Sequence, residues 1–312
     1  MSRPNIVLFN HPGEEHKAKL SGTRFAWNKG KHRRKYLAVQ AQIALAVDGG
    51  FKRDPVARRV GLWGEFEPPT TGHIFPNNSG PGEPHSWHEL LPIGTPPQGA
   101  QNTDPWIFGE AFRYSLCRQN SINYLRSLQD GNLLLLGSYL KQDEGGRPVE
   151  VFNFFLDTVF VVRRGFPIAR EAAIPRTLLD ATYRRGAFNR FEREERDVCT
   201  FYEGTMLCEN PMSKPFSFSP CSLWKAGNAP PQTRRPMIGM LFGKSFRNGQ
   251  VFTRIEDRTP LEAWHSIVRS CREAKYELAV RVGDPGIEGG TIDEGVAASC
   301  GANRPSDGGG CQ

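Results

Sequence analysis

The most apolar part of the chain lies at residues 125–162. The pattern at 120–129 predicts a short helix, and Gly131 follows in the position where a left-handed residue ends a helix. Apolar segments at 133–136 and 152–162, joined by a Gly-rich loop, predict two paired strands. The second segment is apolar at both alternating sets of positions, so we expect it to be covered on both faces. This region therefore predicts the centre of the core.

Similar patterns predict further strands and one well-marked helix. Strands are expected at 5–9, 58–67, 199–206, 214–224, 239–242 and 277–282, whereas 36–47 fits a strand or a helix. The helix begins at Thr259, with Pro260 in the first helical position and Glu262 closing a capping box. Its predicted apolar face consists of Leu261, Trp264, Val268 and Cys271.

These elements predict an α+β fold with a curved mixed or antiparallel sheet, because strands outnumber helices and do not alternate regularly with them. The 24 Pro and 33 Gly residues also favour short strands and turns. We expect a single domain over 1–282 with a long loop at 68–104, where Pro, Gly and Asn cluster. Residues 283–312 are rich in Gly, Asp and Ser and are expected to form a disordered tail.

The charge balance indicates the kind of partner. The chain carries a net charge of +7, which fits a polyanion such as nucleic acid. A soluble protein that is basic for other reasons is an equally good interpretation. A protein partner encoded in the same operon is a third possibility that the composition leaves open.

Several other classes of protein find no support in the sequence. It contains no phosphate-binding loop of the G-x-x-x-x-G-K-[ST] type, no G-x-G-x-x-G and no G-x-S-x-G. No segment approaches the roughly eighteen apolar residues of a membrane-spanning helix. The seven Cys include no C-x-x-C pair, so we expect free, buried thiols in a cytoplasmic protein with no cofactor.

A basic segment with aromatic residues at 24–35 is the first candidate site. Its cations could neutralise phosphates, and Trp27 could stack on a base. The predicted nucleic-acid contacts are Arg24, Trp27, Lys29, Lys31, Arg33, Arg34 and Lys35. The alternative is a solvated turn between strands.

A base-binding pocket is the second candidate. In the sequence W-x-E-x-E, Trp63, Glu65 and Glu67 lie on one face of a predicted strand, and a carboxylate can accept a hydrogen bond from an exocyclic amino group. Asn102 and Asp104 precede a Pro-Trp pair and could read a base or order a sugar. The predicted pocket residues are Trp63, Glu65, Asn102 and Asp104; a core Trp and an Asx turn are the alternatives.

A metal site is the third possibility, although the spacing of the histidines matches no known ligand motif. A composite site could form from His11, His16, His85, His88 and Asp157, with Asp104 as a further ligand. Asp157 is an acid in an otherwise apolar strand and therefore needs a partner, such as Arg113 or Arg118.

Two parts of the sequence resemble known families. Leu125, Leu128, Asp130-Gly131, the strand at 133–136, Ser138 and the strand at 155–162 resemble the core of PUA-like domains of the EVE and ASCH group. The segments GLWGEFEP (61–68), QNTDPWIFG (101–109), LDTVFVV (156–162) and PFSFSPC (215–221) are similar to nucleotide-modification-associated domains of bacterial and phage genomes. The resemblance implies a PUA-like barrel core and a role near modified DNA or nucleotides.

Two functions are therefore expected. The first is a nucleic-acid- or nucleotide-binding protein associated with DNA modification or defence, which recognises a modified base. The second is a metal-assisted enzyme that acts on a nucleotide or a nucleic acid.

Overall fold

The computed structural model describes residues 5–11, 14–76, 83–139, 154–190, 196–207, 214–224, 233–238, 252–255 and 257–289. The strand predicted at 239–242, the Gly-rich loop before residue 154 and the tail beyond residue 289 lie outside the described residues.

Strands form most of the regular structure in these ranges. They are β1 (Ile6–Asn10), β2 (Glu14–Glu15), β3 (Thr23–Phe25), β4 (Arg33–Val47), β5 (Gly50–Arg53), β6 (Arg58–Glu65), β7 (Thr70–Ile74), β8 (Ser86–Leu90), β9 (Arg113–Tyr114), β10 (Leu133–Tyr139), β11 (Phe154–Pro167), β12 (Thr200–Gly204), β13 (Ser219–Leu223), β14 (Phe252–Ile255) and β15 (Glu277–Val282). The α-helices are α1 (Ala181–Gly186) and α2 (Pro260–Glu273). Short 3-10 helices lie at Asn123–Arg126, Ile168–Ala173, Arg176–Leu178 and Phe188–Arg190.

The strands form two mixed sheets. A six-stranded sheet has the order β14-β1-β10-β11-β12-β9, and a nine-stranded sheet has the order β15-β13-β6-β4-β8-β7-β3 with β2 and β5 on β4. Most neighbours are antiparallel, whereas β1–β10, β2–β4 and β4–β8 are parallel. In addition β15 pairs with β4, so the pairings β4–β6–β13–β15–β4 form a closed circuit. The predicted α+β class with a mixed sheet is confirmed.

The described parts of the apolar region, 125–139 and 154–162, do lie at the centre of the core. β10 and β11 pair antiparallel, and β11 is covered on both faces, as predicted. Phe160 and Val162 enter one hydrophobic cluster, while Val159 and Val161 enter the other. The helix predicted at 120–129 is a single 3-10 turn at Asn123–Arg126. Leu125 is the buried residue of that turn, so little apolar contact stabilises a longer helix.

The segment 68–104 corrects a prediction, because it contains β7 and β8 and is not a single loop. β8 runs parallel to β4, so its hydrogen-bonding partners come from a part of the chain about fifty residues away. A local pattern of Pro and Gly carries no information about such a partner. The start of the predicted tail is also ordered, because Ile287 forms a bridge with Ile93.

α2 begins as predicted, with the capping box between Thr259 and Glu262. Its apolar face differs in one residue, because Leu261 is exposed. The residues that α2 buries are Pro260, Ala263, Trp264, Ile267, Val268 and Cys271. Within the described residues, we find no helix with the length and apolar character needed to cross a membrane.

A buried ion pair joins the two sheets. Arg34 of β4 contacts Asp157 of β11, and both side chains are nearly inaccessible to solvent. Arg34 also donates to the backbone oxygens of His11 and Gly137, which lie where the parallel strands β1 and β10 end. A Cβ at Gly137 would overlap the Phe155 oxygen, so a glycine is required there.

This ion pair identifies the partner of Asp157. Arg235 is the second cation near the carboxylate, with 3.7 Å between its Nη1 and Oδ1 of Asp157. The expectation of Arg113 as the partner is wrong, because Arg113 contacts Asp180 with 2.6 Å between Nη2 and Oδ2.

We predict that Asp157→Asn lowers the free energy of unfolding by roughly 3–5 kcal/mol, because it removes the carboxylate that contacts the buried Arg34 guanidinium. Urea denaturation followed by circular dichroism measures the change. The matched control is Glu14→Gln, which removes the exposed partner of Arg33 and should cost at most about 1 kcal/mol. Equal effects of the two substitutions would contradict the role of the buried pair.

Candidate functional site

Five chemically active side chains meet between the two sheets, and we call them the inner cluster: His11, His32, Glu65, Glu67 and Cys117. His11 directly follows β1, and His32 directly precedes β4. β4 and β6 are antiparallel, with Arg34 opposite Glu65, so the start of β4 lies beside the end of β6. This topology brings residues from distant parts of the chain together.

The distances within the inner cluster are short. Nδ1 of His11 lies 2.9 Å from Oε1 of Glu65, and Nδ1 of His32 lies 3.6 Å from Oε2 of Glu65. Nδ1 of His32 is also 3.1 Å from Oε1 of Glu67. On the other side of the His11 ring, Nε2 is 3.0 Å from Sγ of Cys117.

Burial governs the electrostatics of the cluster. The side chains of Glu65 and Glu67 are 2% and 0% exposed, whereas that of His32 is 28% exposed. Burial and the charge on Glu65 raise the pKa of Glu67. Burial also opposes ionisation of Glu65, but His11, His32 and Arg34 outweigh it and lower the pKa of Glu65.

The two histidines respond in opposite ways. Burial lowers the pKa of His11, which favours the neutral ring. For His32 the hydrogen bond with Glu67 and the charge on Glu65 outweigh burial and raise the pKa. The cluster therefore contains a neutral imidazole at His11 and an imidazole at His32 whose protonated form is favoured by two carboxylates, Glu65 and Glu67.

Asp104 holds the turn that carries Cys117. Its carboxylate accepts hydrogen bonds from the backbone N–H groups of Ser115, Leu116 and Cys117, the last two at 2.6 and 2.7 Å. Burial nevertheless raises the pKa of Asp104 to about 6. The prediction that Asp104 contacts a base needs correction, because its oxygens are already engaged with backbone.

The other predicted pocket residues lie in different environments. Trp63 is buried, donates from Nε1 to the oxygen of Thr233 at 2.7 Å, and carries the Arg235 guanidinium 4.9 Å above its ring. Asn102 is buried and 3% exposed. Glu65 alone belongs to the inner cluster, so the four predicted pocket residues do not form one open base-binding surface.

The basic segment is divided between surface and core. Lys29, Lys31 and Arg33 line an open cavity of about 630 Å³, together with His16, Phe25 and Asn28 among others. We call this cavity the basic pocket. Arg24 is exposed on β3.

Three predicted nucleic-acid contacts need correction, because they are buried. Trp27 is 7% exposed and packs into the core, and it also contributes to the lining of the basic pocket. Arg34 is held by Asp157, and Lys35 donates from Nζ to the oxygens of Phe66 and Pro68. Arg34 and Lys35 therefore stabilise the interior and do not present charge at the surface.

The histidines separate into two groups. His16, His85 and His88 lie around β2 and β8, with Nε2 of His88 2.7 Å from the oxygen of His16 and Nδ1 of His85 2.6 Å from Glu15. Among the described residues, the side chains close enough to share one ion are His11, His32 and Glu65. Of the predicted composite metal set, His11 alone belongs to this group. Asp157 instead forms the buried ion pair with Arg34.

Sequence reasoning missed His32, Glu67 as a partner of histidine, and Cys117. The alternation W-x-E-x-E did place Glu65 and Glu67 on one face, which is the signal that could have found the acid pair. His32 is hidden among basic residues, and no local signal marks Cys117. No protein-family model, curated protein or solved structure matches the chain.

We predict that the free energy of unfolding of His88→Gln falls less steeply on acidification than that of wild type. Burial lowers the pKa of His88 to about 3, so between that value and the usual 6.5 the unfolded state binds a proton that the folded state does not. Its contribution to stability is present above pH 6.5 and falls as the pH decreases, by roughly 1.4 kcal/mol per pH unit. Urea unfolding at pH 4.5, 5.0 and 5.5 compares the slopes; parallel curves for wild type and variant would contradict the assignment.

Proposed function

We propose that the protein binds a nucleotide or a nucleic acid at the basic pocket, in DNA modification or defence. The observation that carries this proposal is the position of Lys29, Lys31 and Arg33 around one cavity. Exposed Lys and Arg side chains neutralise phosphates and release counterions, which supplies most of the affinity for nucleic acid.

The pocket also has the size and the aromatic wall that a nucleotide needs. Its volume of about 630 Å³ falls within the range of ordinary small-molecule sites. Phe25 is partly exposed in its lining, and its ring is held by packing on two imidazoles, with ring centroids 4.4 Å from His16 and 5.3 Å from His88. A ring held in this way can stack on a base without further loss of freedom.

The fold supports the proposal at the level of architecture. The closed circuit β4–β6–β13–β15 is compatible with a PUA-like core, and domains of this type are what the sequence resembles. Recognition of a modified base follows from that resemblance alone. The reduced, buried thiols of Cys117, Cys221 and Cys271 support a cytoplasmic location.

A second candidate function is a metal-assisted enzyme that acts on the same ligand. Asn28 favours it, because this residue lines the basic pocket and also donates to Oε2 of Glu67. A phosphate held by Lys29 and Lys31 would therefore lie next to the loop that carries His32.

We predict that Lys29→Ala/Lys31→Ala weakens binding of a single-stranded oligonucleotide and lowers the salt dependence of log K by about one for each lysine removed. Fluorescence anisotropy across a salt series measures both quantities. Lys52→Ala is the matched control, because Lys52 is an exposed lysine on β5, which pairs with the opposite end of β4. An unchanged salt slope in the double variant, or no binding by wild type at low salt, would overturn the proposal.

A further inference from the structure

We infer that His11, His32 and Glu65 bind one divalent transition-metal ion, with Glu67 as an additional carboxylate ligand. This site differs from the histidine set that the sequence suggested, and it does not depend on nucleic-acid binding. The four side chains come from the end of β1, the start of β4 and the end of β6.

The spacing of the donor atoms fits a shared ion. Bonds of about 2.0–2.2 Å from zinc to nitrogen or oxygen place neighbouring ligands roughly 2.9–3.5 Å apart. The separations from Nδ1 of His11 to Glu65, and from Nδ1 of His32 to Glu67 and to Glu65, are 2.9, 3.1 and 3.6 Å. One donor atom from each of His11, His32 and Glu65 lies within 4.8 Å of the others.

Glu65 provides a second and independent observation. Both of its carboxylate oxygens are buried, and ring nitrogens lie beside them, with Nδ1 of His11 at 2.9 Å and Nδ1 of His32 at 3.6 Å. Among the described residues, the ion-pair contacts of Glu65 are with these two imidazoles and not with Lys or Arg. An imidazole nitrogen whose ring proton lies on the other nitrogen can direct its lone pair, together with the carboxylate oxygen, at one cation.

The neighbouring cations do not replace such an ion. Arg34 directs its guanidinium to Asp157 and to the oxygens of His11 and Gly137. Lys35 donates to the oxygens of Phe66 and Pro68. Two buried carboxylates thus face two imidazoles, and a divalent cation would compensate their charge.

Outer contacts hold the ligands in place, as is usual around metal sites. Nε2 of His11 faces Sγ of Cys117 at 3.0 Å, and the Phe9 ring stacks on His11 at 5.4 Å. Asn28 donates to Glu67, and the backbone N–H of Glu67 donates to Oγ1 of Thr103 at 3.0 Å. Cys117 is therefore a positioning residue for His11.

The same atoms could be interpreted as a thiol nucleophile, with His11 as base and Glu65 as its orienting acid. Two observations favour the metal. Burial raises the pKa of the Cys117 thiol well above its usual range, which disfavours the thiolate. In addition, two imidazoles converge on Glu65, with Nδ1 of His11 at 2.9 Å and Nδ1 of His32 at 3.6 Å, whereas a catalytic triad uses one imidazole beside its acid.

The donor set indicates the class of ion. Two imidazoles with carboxylates suit Zn²⁺, Fe²⁺ or Mn²⁺, whereas Mg²⁺ and Ca²⁺ prefer oxygen ligands alone. The side chain of His32 is 28% exposed and is the most accessible member of the set, and its chain neighbours Lys31 and Arg33 line the basic pocket. An ion here would enter past His32 and could expose one coordination position to a phosphate or a water.

The test is metal uptake by the full-length chain after treatment with a chelator. Co²⁺ reports coordination by its visible spectrum, and calorimetry with Zn²⁺ gives stoichiometry and affinity. We expect one ion per chain, and a loss of affinity of at least about 100-fold in His32→Ala and in Glu65→Gln, because each removes a direct ligand. Circular dichroism confirms that each variant is folded.

His85→Ala is the matched control, because His85 is a histidine outside the inner cluster that contacts Glu15. It should bind Co²⁺ and Zn²⁺ as wild type does. The inference is overturned if folded wild type binds neither ion, or if His32→Ala and Glu65→Gln bind both ions as tightly as wild type. If Glu65→Gln is not folded, His32→Ala decides the result, because its side chain is partly exposed. These readouts contain no nucleic acid and are independent of the proposed function.

Discussion

The buried contact between Arg34 and Asp157 is the constraint on which the arrangement of the molecule depends. It is the point where β4 of the nine-stranded sheet meets β11 of the six-stranded sheet. A charge removed from water is stable only with a counter-charge and hydrogen bonds, and Arg34 finds both at the ends of β1 and β10. The two sheets can therefore meet in only one register at this end.

That register also determines the candidate site. His11 is the first residue after β1, and its backbone oxygen is one of the groups that Arg34 binds. Glu65 lies opposite Arg34 in the ladder between β4 and β6. The ion pair thus fixes the backbone at two of the three elements that supply the inner cluster, and the chemistry follows from the packing of the sheets.

The sequence predicted the local parts of the fold well. The strands at β1, β6, β11 and β15 and the capping box of α2 follow from apolar alternation and from side chains near in sequence. β7 and β8 were not predicted, because their stability comes from pairing with other strands, β8 with β4 and β7 with β3 and β8, and not from their own composition. Short-range pattern carries no information about such partners.

The candidate site shows the same division between local and distant information. The pair Glu65 and Glu67 was visible as an alternation, and Asp157 was recognised as an acid that needs a partner. The sequence did not identify Arg34 as that partner. Arg34 and Lys35 lie in a basic segment that looks exposed, whereas both side chains are buried. His32 and Cys117 join the cluster only through sheet topology.

The pairing of early strands with late ones has a consequence for synthesis of the protein. β1 lies between β10 and β14, and β4 pairs with β15, so both sheets need strands from the last quarter of the described chain. Contacts of such high sequence separation form slowly and only once both segments are present. During synthesis on the ribosome, the edges of β1 and β4 remain unpaired until these partner strands have been made. We therefore expect the nascent chain to need protection from aggregation.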